Sequence, residues 1–150
     1  MKMNKSNCEK AEMLVEVLPY VNRFRDKIIV IKYGGNAMIN EDLKKAVMQD
    51  LLLMKSVGMH PILVHGGGPA INDMLKKLKV ESHFEQGLRV TDKETMEIVE
   101  MVLAGKVNKD IVGTLNQIGG KGIGLSGKDG NLIQARKKYL EKNGEKIDIG

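Results

Sequence analysis

Two short apolar runs, each followed by a cluster of glycines, most constrain how this chain can fold. Residues 28–31 precede Gly34 and Gly35, and residues 62–64 precede the three glycines at 66–68. Short β-branched apolar runs of this kind predict strands that are buried on both faces. A helical pattern follows each glycine cluster, so the order strand, turn, helix occurs twice. This order predicts an α/β fold with a parallel sheet.

Capping signals place helices around these strands. Ser6 stands at capping-box spacing from a glutamate and predicts a helix that begins there, and Pro19 is expected to kink or end it. Asn40 is expected to cap a second helix that stops at Gly58, and Pro69 to begin a third. The apolar face of the second helix is predicted to comprise Leu43, Ala46, Val47, Leu51 and Met54.

The second half of the chain has a different pattern. Polar, extended residues around Gly87 predict a β-hairpin over residues 83–91. A capping box that starts at Thr91 predicts the next helix, and Gly105 is expected to break it before a further helix. Turn signals at 129–131 lie between expected strands at 123–126 and 132–135, and a last strand is expected to begin within 146–150.

Composition narrows the classes of function. The 150 residues suffice for one compact domain, and no apolar run is long enough to span a bilayer. The net charge of +5 with only 3% aromatic residues suits small anions better than nucleic acid, which needs stacking platforms. The lone Cys8 fits a reducing cytoplasm, and the three histidines are not at metal-ligand spacing. We therefore expect a cytoplasmic protein without a membrane partner, a nucleic-acid partner or a metal site.

The glycine turns carry the strongest functional signal. Ligands of open α/β sheets bind at the carboxyl ends of the strands, where both turns lie. Glycines let backbone N–H groups approach an anion, and the dipole of a following helix favours negative charge there. Lys32, at the end of the first run, could reach a phosphoryl group in transfer. The alternative is that these glycines only form tight turns.

A third glycine-rich segment, residues 122–128, matches the letters of the dinucleotide fingerprint and nearly matches a P-loop. Asp129 stands where a P-loop needs Ser or Thr, and the residues that follow predict a turn and a strand instead of a helix. Both interpretations are therefore rejected. His65 is expected to bond to the backbone at a strand end and not to act as a base.

Five segments together resemble acetylglutamate kinases, members of the amino-acid kinase superfamily, in order and spacing. They are residues 29–38, 63–69, 87–91, 103–109 and 124–130. The resemblance implies an α/β three-layer sandwich with a mainly parallel sheet, the carbamate-kinase-like fold. It also implies an N-terminal helix and linker over 1–26 and a substrate-binding lobe over 27–150. The ATP-binding lobe is expected outside this chain.

The resemblance also implies residue roles. Lys32 is similar to the lysine that stabilises the phosphoryl group in transfer from ATP with Mg²⁺. Gly67 and Gly68 are similar to backbone donors that bind N-acetyl-L-glutamate, and Arg89 to the arginine that grips its carboxylate. The glycines expected to line the phosphate path are Gly34, Gly35 and Gly66. The implied reaction phosphorylates the γ-carboxylate of N-acetyl-L-glutamate, an early step of arginine biosynthesis.

The N-terminal helix resembles that of the arginine-inhibited kinases, in which it joins dimers into a hexamer. Arginine feedback and a homo-oligomer are therefore expected, although the helix could instead only cover a sheet edge. Because the nucleotide half is expected elsewhere, the chain by itself is expected to turn over little or no substrate. The alternatives are a carbamate or aspartate kinase, and a lobe that only binds ligand or assembles oligomers.

Overall fold

A computed structural model describes residues 6–137, 139–142 and 144–150, so residues 1–5 of the predicted N-terminal segment lie outside the described part. The α-helices are α1 (Asn7–Phe24), α2 (Glu41–Ser56), α3 (Gly68–Leu78), α4 (Lys93–Glu100) and α5 (Asn108–Gln117). A π-helix (Met101–Val107) joins the last two. Strands span β1 (Ile28–Tyr33), β2 (His60–His65), β3 (Phe84–Glu85), β4 (Leu88–Arg89), β5 (Tyr139–Lys142) and β6 (Glu145–Asp148). Short 3-10 turns span Gly35–Met38 and Asp129–Asn131.

The sheet that organises the fold is the parallel pair β1–β2, in which Val30 lies opposite Ile62 and Lys32 opposite Val64. This pair confirms the parallel sheet and the repeated strand, turn, helix order. The hairpins β3–β4 and β5–β6 are antiparallel. The hairpin predicted at 83–91 and the strand predicted within 146–150 are therefore confirmed, whereas β5 had no sequence signal.

The prediction that both strands are buried on two faces is wrong. Ile28 and Val30 are 67% and 66% exposed, while Tyr33 on the other face is buried in the core. The helices that contribute to the core lie on that one face, and in the part of the chain that the structure describes nothing covers the other. An α/β arrangement around a two-stranded parallel sheet is what the structure establishes.

The core forms where α2, α3, α4 and the π-helix meet the inner face of the sheet. Met48, Leu75 and Val102 are its largest fully buried side chains, and Tyr33 joins them from β1. Each such side chain stabilises the fold by about 1.5–3 kcal/mol through its removal from water. The core therefore fixes the helices against the strands whose ends carry the glycine turns.

The predicted apolar face of α2 is right only in part. Leu51 is buried and Val47 packs against the core, whereas Leu43 is 48% exposed. The other buried residues of α2 are Lys44 and Met48. Lys44 turns inward because its ammonium bonds Asp110 of α5 at 2.9 Å. A buried lysine with a carboxylate partner overrides the apolar stripe from which the face was predicted.

Helix starts agree with their local signals, with one shift. Ser6 and Glu9 form the predicted capping box, and the side chain of Asn40 accepts two backbone N–H bonds of α2 at 3.0 Å. The cap of α4 is Asp92 instead of the predicted Thr91, and it accepts the Thr95 N–H at 2.8 Å. The Thr91 hydroxyl is engaged elsewhere, since it donates to the carbonyl of Arg89 at 3.2 Å.

The prediction that the helix ends at Pro19 is wrong, because α1 continues to Phe24. A proline removes one backbone donor, and the turn beyond it stays closed by bonds such as that from the Arg25 N–H to the Val21 carbonyl at 2.9 Å. No residue of α1 is buried. No helix in the described part of the chain has both the length and the apolar character needed to cross a membrane.

The predicted break at Gly105 is also wrong. The chain stays helical there by widening into the π-helix, in which the Asn108 N–H reaches back five residues to the Leu103 carbonyl. The strands predicted at 123–126 and 132–135 are irregular segments. Side chains of α5 bond the carbonyls of Gly124 and Leu125 in the first, and the Ile133 N–H of the second donates to the Gly127 carbonyl at 3.0 Å. The turn at 129–131 is confirmed, with Gly130 at a φ of 59°.

A polar cluster under β1 makes stability sensitive to alkaline pH. The ammonium of Lys44 bonds Asp110 and Glu41, and the Tyr33 hydroxyl donates to the Ala37 carbonyl at 2.8 Å. The bond to Asp110 raises the pKa of Lys44 above 10.5, and burial raises the pKa of Tyr33 above 10.0. Both groups keep their protons longer in the folded state than in the unfolded state.

A group whose folded pKa is raised contributes its full stability below its unfolded pKa, and this is lost as the pH rises through its folded pKa. We therefore expect the free energy of unfolding in urea to fall as the pH is raised above about 10. The double variant Tyr33→Phe, Lys44→Met should show a shallower fall across the same range. Parallel pH profiles for the variant and the unmutated chain would contradict this assignment.

Candidate active site at the carboxyl edge of the parallel strands

The two glycine turns leave the sheet at the same edge. Tyr33 and His65 are partners in the β1–β2 register, so the chain segments that follow them begin side by side. The Gly66 N–H donates to the Tyr33 carbonyl at 3.2 Å and ties the second turn to the end of the first strand. The backbone thus brings Gly34 and Gly35 next to the three glycines at 66–68.

The first turn is open. A Cβ added to Gly34 or Gly35 would meet no heavy atom within 4 Å, and Gly35 has a φ of 63° that favours glycine. Lys32 is the second-last residue of β1 and not its last, as predicted, since β1 extends to Tyr33. Its side chain is exposed and lies on the sheet face opposite the core. The ammonium is therefore accessible to a ligand from solvent.

The second turn is packed from one side. Gly67 is buried, and a Cβ there would lie 2.5 Å from Leu103 Cδ2 and 3.3 Å from Val107 Cγ2. Glycine suits this position because side chains of the π-helix lie directly against the backbone. Within the described part of the chain, no backbone hydrogen bond uses the N–H of Gly67. A buried donor of this kind is suited to an anionic ligand at the N-terminus of α3.

Arg89 approaches the same helix from the hairpin. Its guanidinium donates to the side chains of Ser82 and Asn72 and lies 4.6 Å from the ring centroid of Phe84. Asn72 belongs to α3, which Gly67 caps. The structure therefore brings Arg89 to the helix that carries the second glycine turn. Among the described residues, no hydrogen bond or ion pair joins Arg89 to Lys32.

His65 and Asn108 form a contact that sequence reasoning missed. His65 ends β2, with Nδ1 2.9 Å from the Gly66 carbonyl and Nε2 3.2 Å from Asn108 Nδ2. The expected bond from His65 to the backbone is thus confirmed. The only sequence signal for Asn108 was its place within 103–109, one of the segments that carry the resemblance.

A small cleft lies beside this contact. It has a volume of about 310 Å³ and is lined by Ala104, Gly105, Asn108, Lys109 and parts of residues 124–129. Lys109 Nζ donates to the Gly124 carbonyl at 3.1 Å and to Asn108 Oδ1 at 3.2 Å. The hydrogen bond from the Ser126 N–H lowers the pKa of Asp129.

The glycine-rich segment beside this cleft leads into a 3-10 turn and no α-helix, which confirms the rejection of a dinucleotide loop and of a P-loop. In residues 6–137, 139–142 and 144–150, no group of three or more His, Cys, Asp or Glu side chains could hold a metal ion.

A wider cleft of about 1050 Å³ adjoins Arg89 and α4. Two of its lysines are paired within the protein, since Lys128 bonds Glu100 at 2.6 Å and Lys137 bonds Asp148 at 2.7 Å. Lysines in such pairs attract an anion less than free ones, but Lys93 and Arg136 line this cleft as well.

The chain is similar in sequence to curated acetylglutamate kinases. The acetylglutamate kinase of Caldicellulosiruptor bescii is 63% identical over 142 residues, which are 95% of this chain and 48% of that protein. The acetylglutamate kinase of Moorella thermoacetica is 58% identical over 149 residues, which are 98% of this chain and 50% of that protein. The chain spans about half the length of the curated relatives it matches.

Solved structures show the same fold. The structure of smu.665 from Streptococcus mutans UA159 is 35% identical and superimposes with a TM-score of 0.54, over 61% of this chain and 37% of that one. An N-acetylglutamate synthase from Neisseria gonorrhoeae, complexed with coenzyme A and N-acetyl-glutamate, is 23% identical with a TM-score of 0.59. That likeness covers 75% of this chain and 25% of the synthase and bears on the fold alone.

A family model also matches most of this chain. The family model described as "Amino acid kinase family" matches residues 27–149, nearly the whole chain beyond α1. This match begins one residue before β1 and includes both glycine turns, the hairpin and the cleft beside Asn108. The predicted superfamily is confirmed: the chain belongs to the amino acid kinase family.

Proposed function

We propose that this chain forms the N-acetyl-L-glutamate-binding part of an ATP-dependent acetylglutamate kinase. The reaction transfers the γ-phosphoryl group of ATP to the γ-carboxylate of N-acetyl-L-glutamate and yields N-acetyl-L-glutamyl 5-phosphate for arginine biosynthesis. The observation that carries the proposal is the 63% identity, over 142 of 150 residues, with a protein of that name. An alignment of that length includes both glycine turns and the hairpin.

The substrate contacts are proposed for Gly67, Gly68 and Arg89. The buried N–H of Gly67 and the first N–H groups of α3 are donors for one anionic group of the substrate. A guanidinium is planar and binds a carboxylate through two parallel hydrogen bonds. Arg89 already bonds the side-chain oxygens of Ser82 and Asn72, and a substrate carboxylate would compete with these neutral acceptors. A charged acceptor binds a guanidinium more strongly than a neutral one.

The phosphoryl group is proposed to pass over the open first turn. Lys32 would stabilise the negative charge that develops in transfer, and the glycines Gly34, Gly35 and Gly66 would line its path. Mg²⁺ is proposed to arrive with the ATP phosphates, because this ion is commonly held by substrate phosphates and water with few protein ligands. The relatives are about twice as long as this chain, and we assign most ATP contacts to the part it does not span.

The proposals for oligomeric state, feedback inhibitor and cellular location come from the resemblance to the same family. We propose a homo-oligomer, a dimer or the hexamer of the arginine-inhibited class, with arginine as feedback inhibitor, in the cytoplasm. Leu14 and Val15 on α1 are 73% and 70% exposed, as expected of a helix that packs against another subunit. The bare face of β1–β2 supports a three-layer sandwich in the assembled protein. We also propose a division into 1–26 and 27–150, which the start of the family match at residue 27 supports.

The test is isothermal titration of N-acetyl-L-glutamate into the 150-residue chain and into Arg89→Ala. We expect saturable binding to the unmutated chain and an affinity at least about tenfold lower in the variant, since a carboxylate loses its charged partner. Arg89→Lys keeps the charge and should recover only part of the affinity, because an ammonium lacks the planar fork.

Arg23→Ala is the matched control, because Arg23 also stacks on a phenylalanine, at 5.4 Å, but lies on α1. Its affinity should equal that of the unmutated chain. An unmutated chain that does not bind, or an Arg89→Ala variant that binds as well, would contradict the proposal. Tighter binding of L-aspartate in the same titration would favour an aspartate kinase.

A further inference from the structure

Asn108 is a buried polar residue at the junction of the π-helix and α5, and it is only 7% exposed. Its Nδ2 lies 3.2 Å from His65 Nε2 and 3.4 Å from the Leu125 carbonyl, and its Oδ1 accepts from Lys109 Nζ. A buried amide is costly unless such partners satisfy it. Its partners come from β2, from the segment at Leu125 and from the neighbouring residue Lys109, and together they satisfy the buried amide.

The partners of His65 determine which of its nitrogens carries the proton. The Gly66 carbonyl can only accept, so His65 Nδ1, 2.9 Å away, must donate to it. In a neutral imidazole the other nitrogen is then an acceptor. Asn108 Nδ2 is a donor and faces this nitrogen. Asn108 thus favours the Nδ1–H tautomer of His65.

The tautomer of His65 matters because it decides whether Nδ1 can donate to the Gly66 carbonyl and hold that carbonyl in place. The Gly66 carbonyl belongs to the same planar peptide unit as the N–H of Gly67. A hydrogen bond that fixes the direction of this carbonyl also fixes the direction in which the Gly67 N–H points. The Gly66 N–H is bonded to Tyr33, so both peptide units that flank Gly66 are restrained.

We propose that Asn108 is a positioning residue for the anion site. Through the tautomer of His65 it directs the Gly67 N–H toward the bound carboxylate or phosphoryl group. This inference rests on the proposed function, in which Gly67 donates to the substrate. It adds two residues, Asn108 and His65, that touch the site only through the peptide unit between Gly66 and Gly67.

The packing of the π-helix against Gly67 also supports this role. The π-helix that ends at Val107 places Leu103 and Val107 against Gly67 and presents Asn108 to His65 directly afterwards. Gly124 leaves room for the amide, since a Cβ there would lie 1.9 Å from Asn108 Oδ1. One helix therefore packs against the turn and orients it.

Asn108→Asp tests the proposal because it keeps the shape but replaces the donor by an acceptor. We expect His65 to change from the Nδ1–H to the Nε2–H tautomer, measured by ¹⁵N-resolved NMR of the imidazole, with the resonance assigned by His65→Gln. The amide resonance of Gly67 should shift, and the affinity for N-acetyl-L-glutamate should fall about fivefold, as expected when a hydrogen bond is misdirected. Asn108→Ala, which removes the donor without adding charge, should shift the same two resonances.

Asn116→Asp is the matched control on the same helix. Asn116 Oδ1 only accepts, from the Gly122 N–H at 2.8 Å, and a carboxylate preserves that bond. The His65 tautomer, the Gly67 resonance and the affinity should stay as in the unmutated chain. The proposal is overturned if His65 keeps its Nδ1–H tautomer in both Asn108 variants, or if Gly67 and the affinity are unaffected by the change.

These readouts separate the inference from the proposed function. The tautomer and the Gly67 resonance are measured without substrate and decide whether Asn108 orients the turn. A chain that shows the expected tautomer change but does not bind N-acetyl-L-glutamate would overturn the proposed function and, with it, the substrate role of this orientation. A chain that binds the substrate equally well in Asn108→Asp would overturn only the positioning role.

Discussion

Gly124→Ala is expected to lower the free energy of unfolding by about 3 kcal/mol, the range of severe overpacking. The added methyl group would lie 1.9 Å from Asn108 Oδ1 and 2.9 Å from Val112 Cγ2. The Asn108 amide cannot swing aside without losing its bonds to His65 and the Leu125 carbonyl. Urea unfolding followed by circular dichroism gives the difference directly.

Gly34→Ala provides the comparison, because a Cβ at Gly34 meets nothing within 4 Å and its backbone is not in the left-handed region. Its stability should stay within about 0.5 kcal/mol of the unmutated chain, as for most substitutions that create no clash. Equal losses in the two variants would mean that the closeness of Gly124 to Asn108 does not govern stability.

Gly67→Ala is expected to cost about 2 kcal/mol, since its methyl group would overlap the Leu103 Cδ2 methyl, 2.5 Å away. The cost is smaller than at Gly124, because the end of a leucine side chain can shift while a bonded amide cannot. Gly68→Ala changes the adjacent residue, where a Cβ meets nothing, and should leave the urea midpoint nearly unchanged.

The Gly67 prediction can be checked further by combination with Leu103→Ala. If the clash is with Leu103, the double variant should be less destabilised than the sum of the two single variants. Additive losses would instead indicate that the strain at Gly67→Ala lies elsewhere in the turn.

Signals carried within a few residues predicted much of the fold. The caps at Ser6 and Asn40, the two strands and the hairpin around Gly87 depend on neighbouring residues, and each is present. The helix does not end at Pro19, because the turns on either side of a single proline remain bonded, and at Gly105 it widens into the π-helix instead of ending. The inward turn of Lys44 depends on a partner far along the chain, which local patterns do not contain.

The residues of the candidate site likewise fall into those that local sequence patterns predicted and those that they did not. The glycine turns and Lys32 were predicted from the ends of the two expected strands, whereas Arg89 was assigned its role from the family resemblance alone. The contact between His65 and Asn108 joins residues 43 positions apart, and periodicity places Asn108 simply within a helix. The π-helix before Asn108 determines that this side chain faces β2. Local sequence patterns do not predict this widening of the helix, which depends on the packed structure.

The π-helix has a consequence for insertions and deletions in this family. Each residue of an α-helix advances the helix by about 100°, since a turn holds 3.6 residues. A π-helix turns by less per residue, because its bonds span five residues instead of four. The seven residues of this segment therefore complete about the same rotation as six residues of an α-helix, roughly 600°. If one residue were lost between 101 and 107 and the segment relaxed to an ordinary α-helix, Asn108 would still face His65. The segment thus holds one residue more than the rotation requires, and the loss of that residue would not turn the following side chains away from the site.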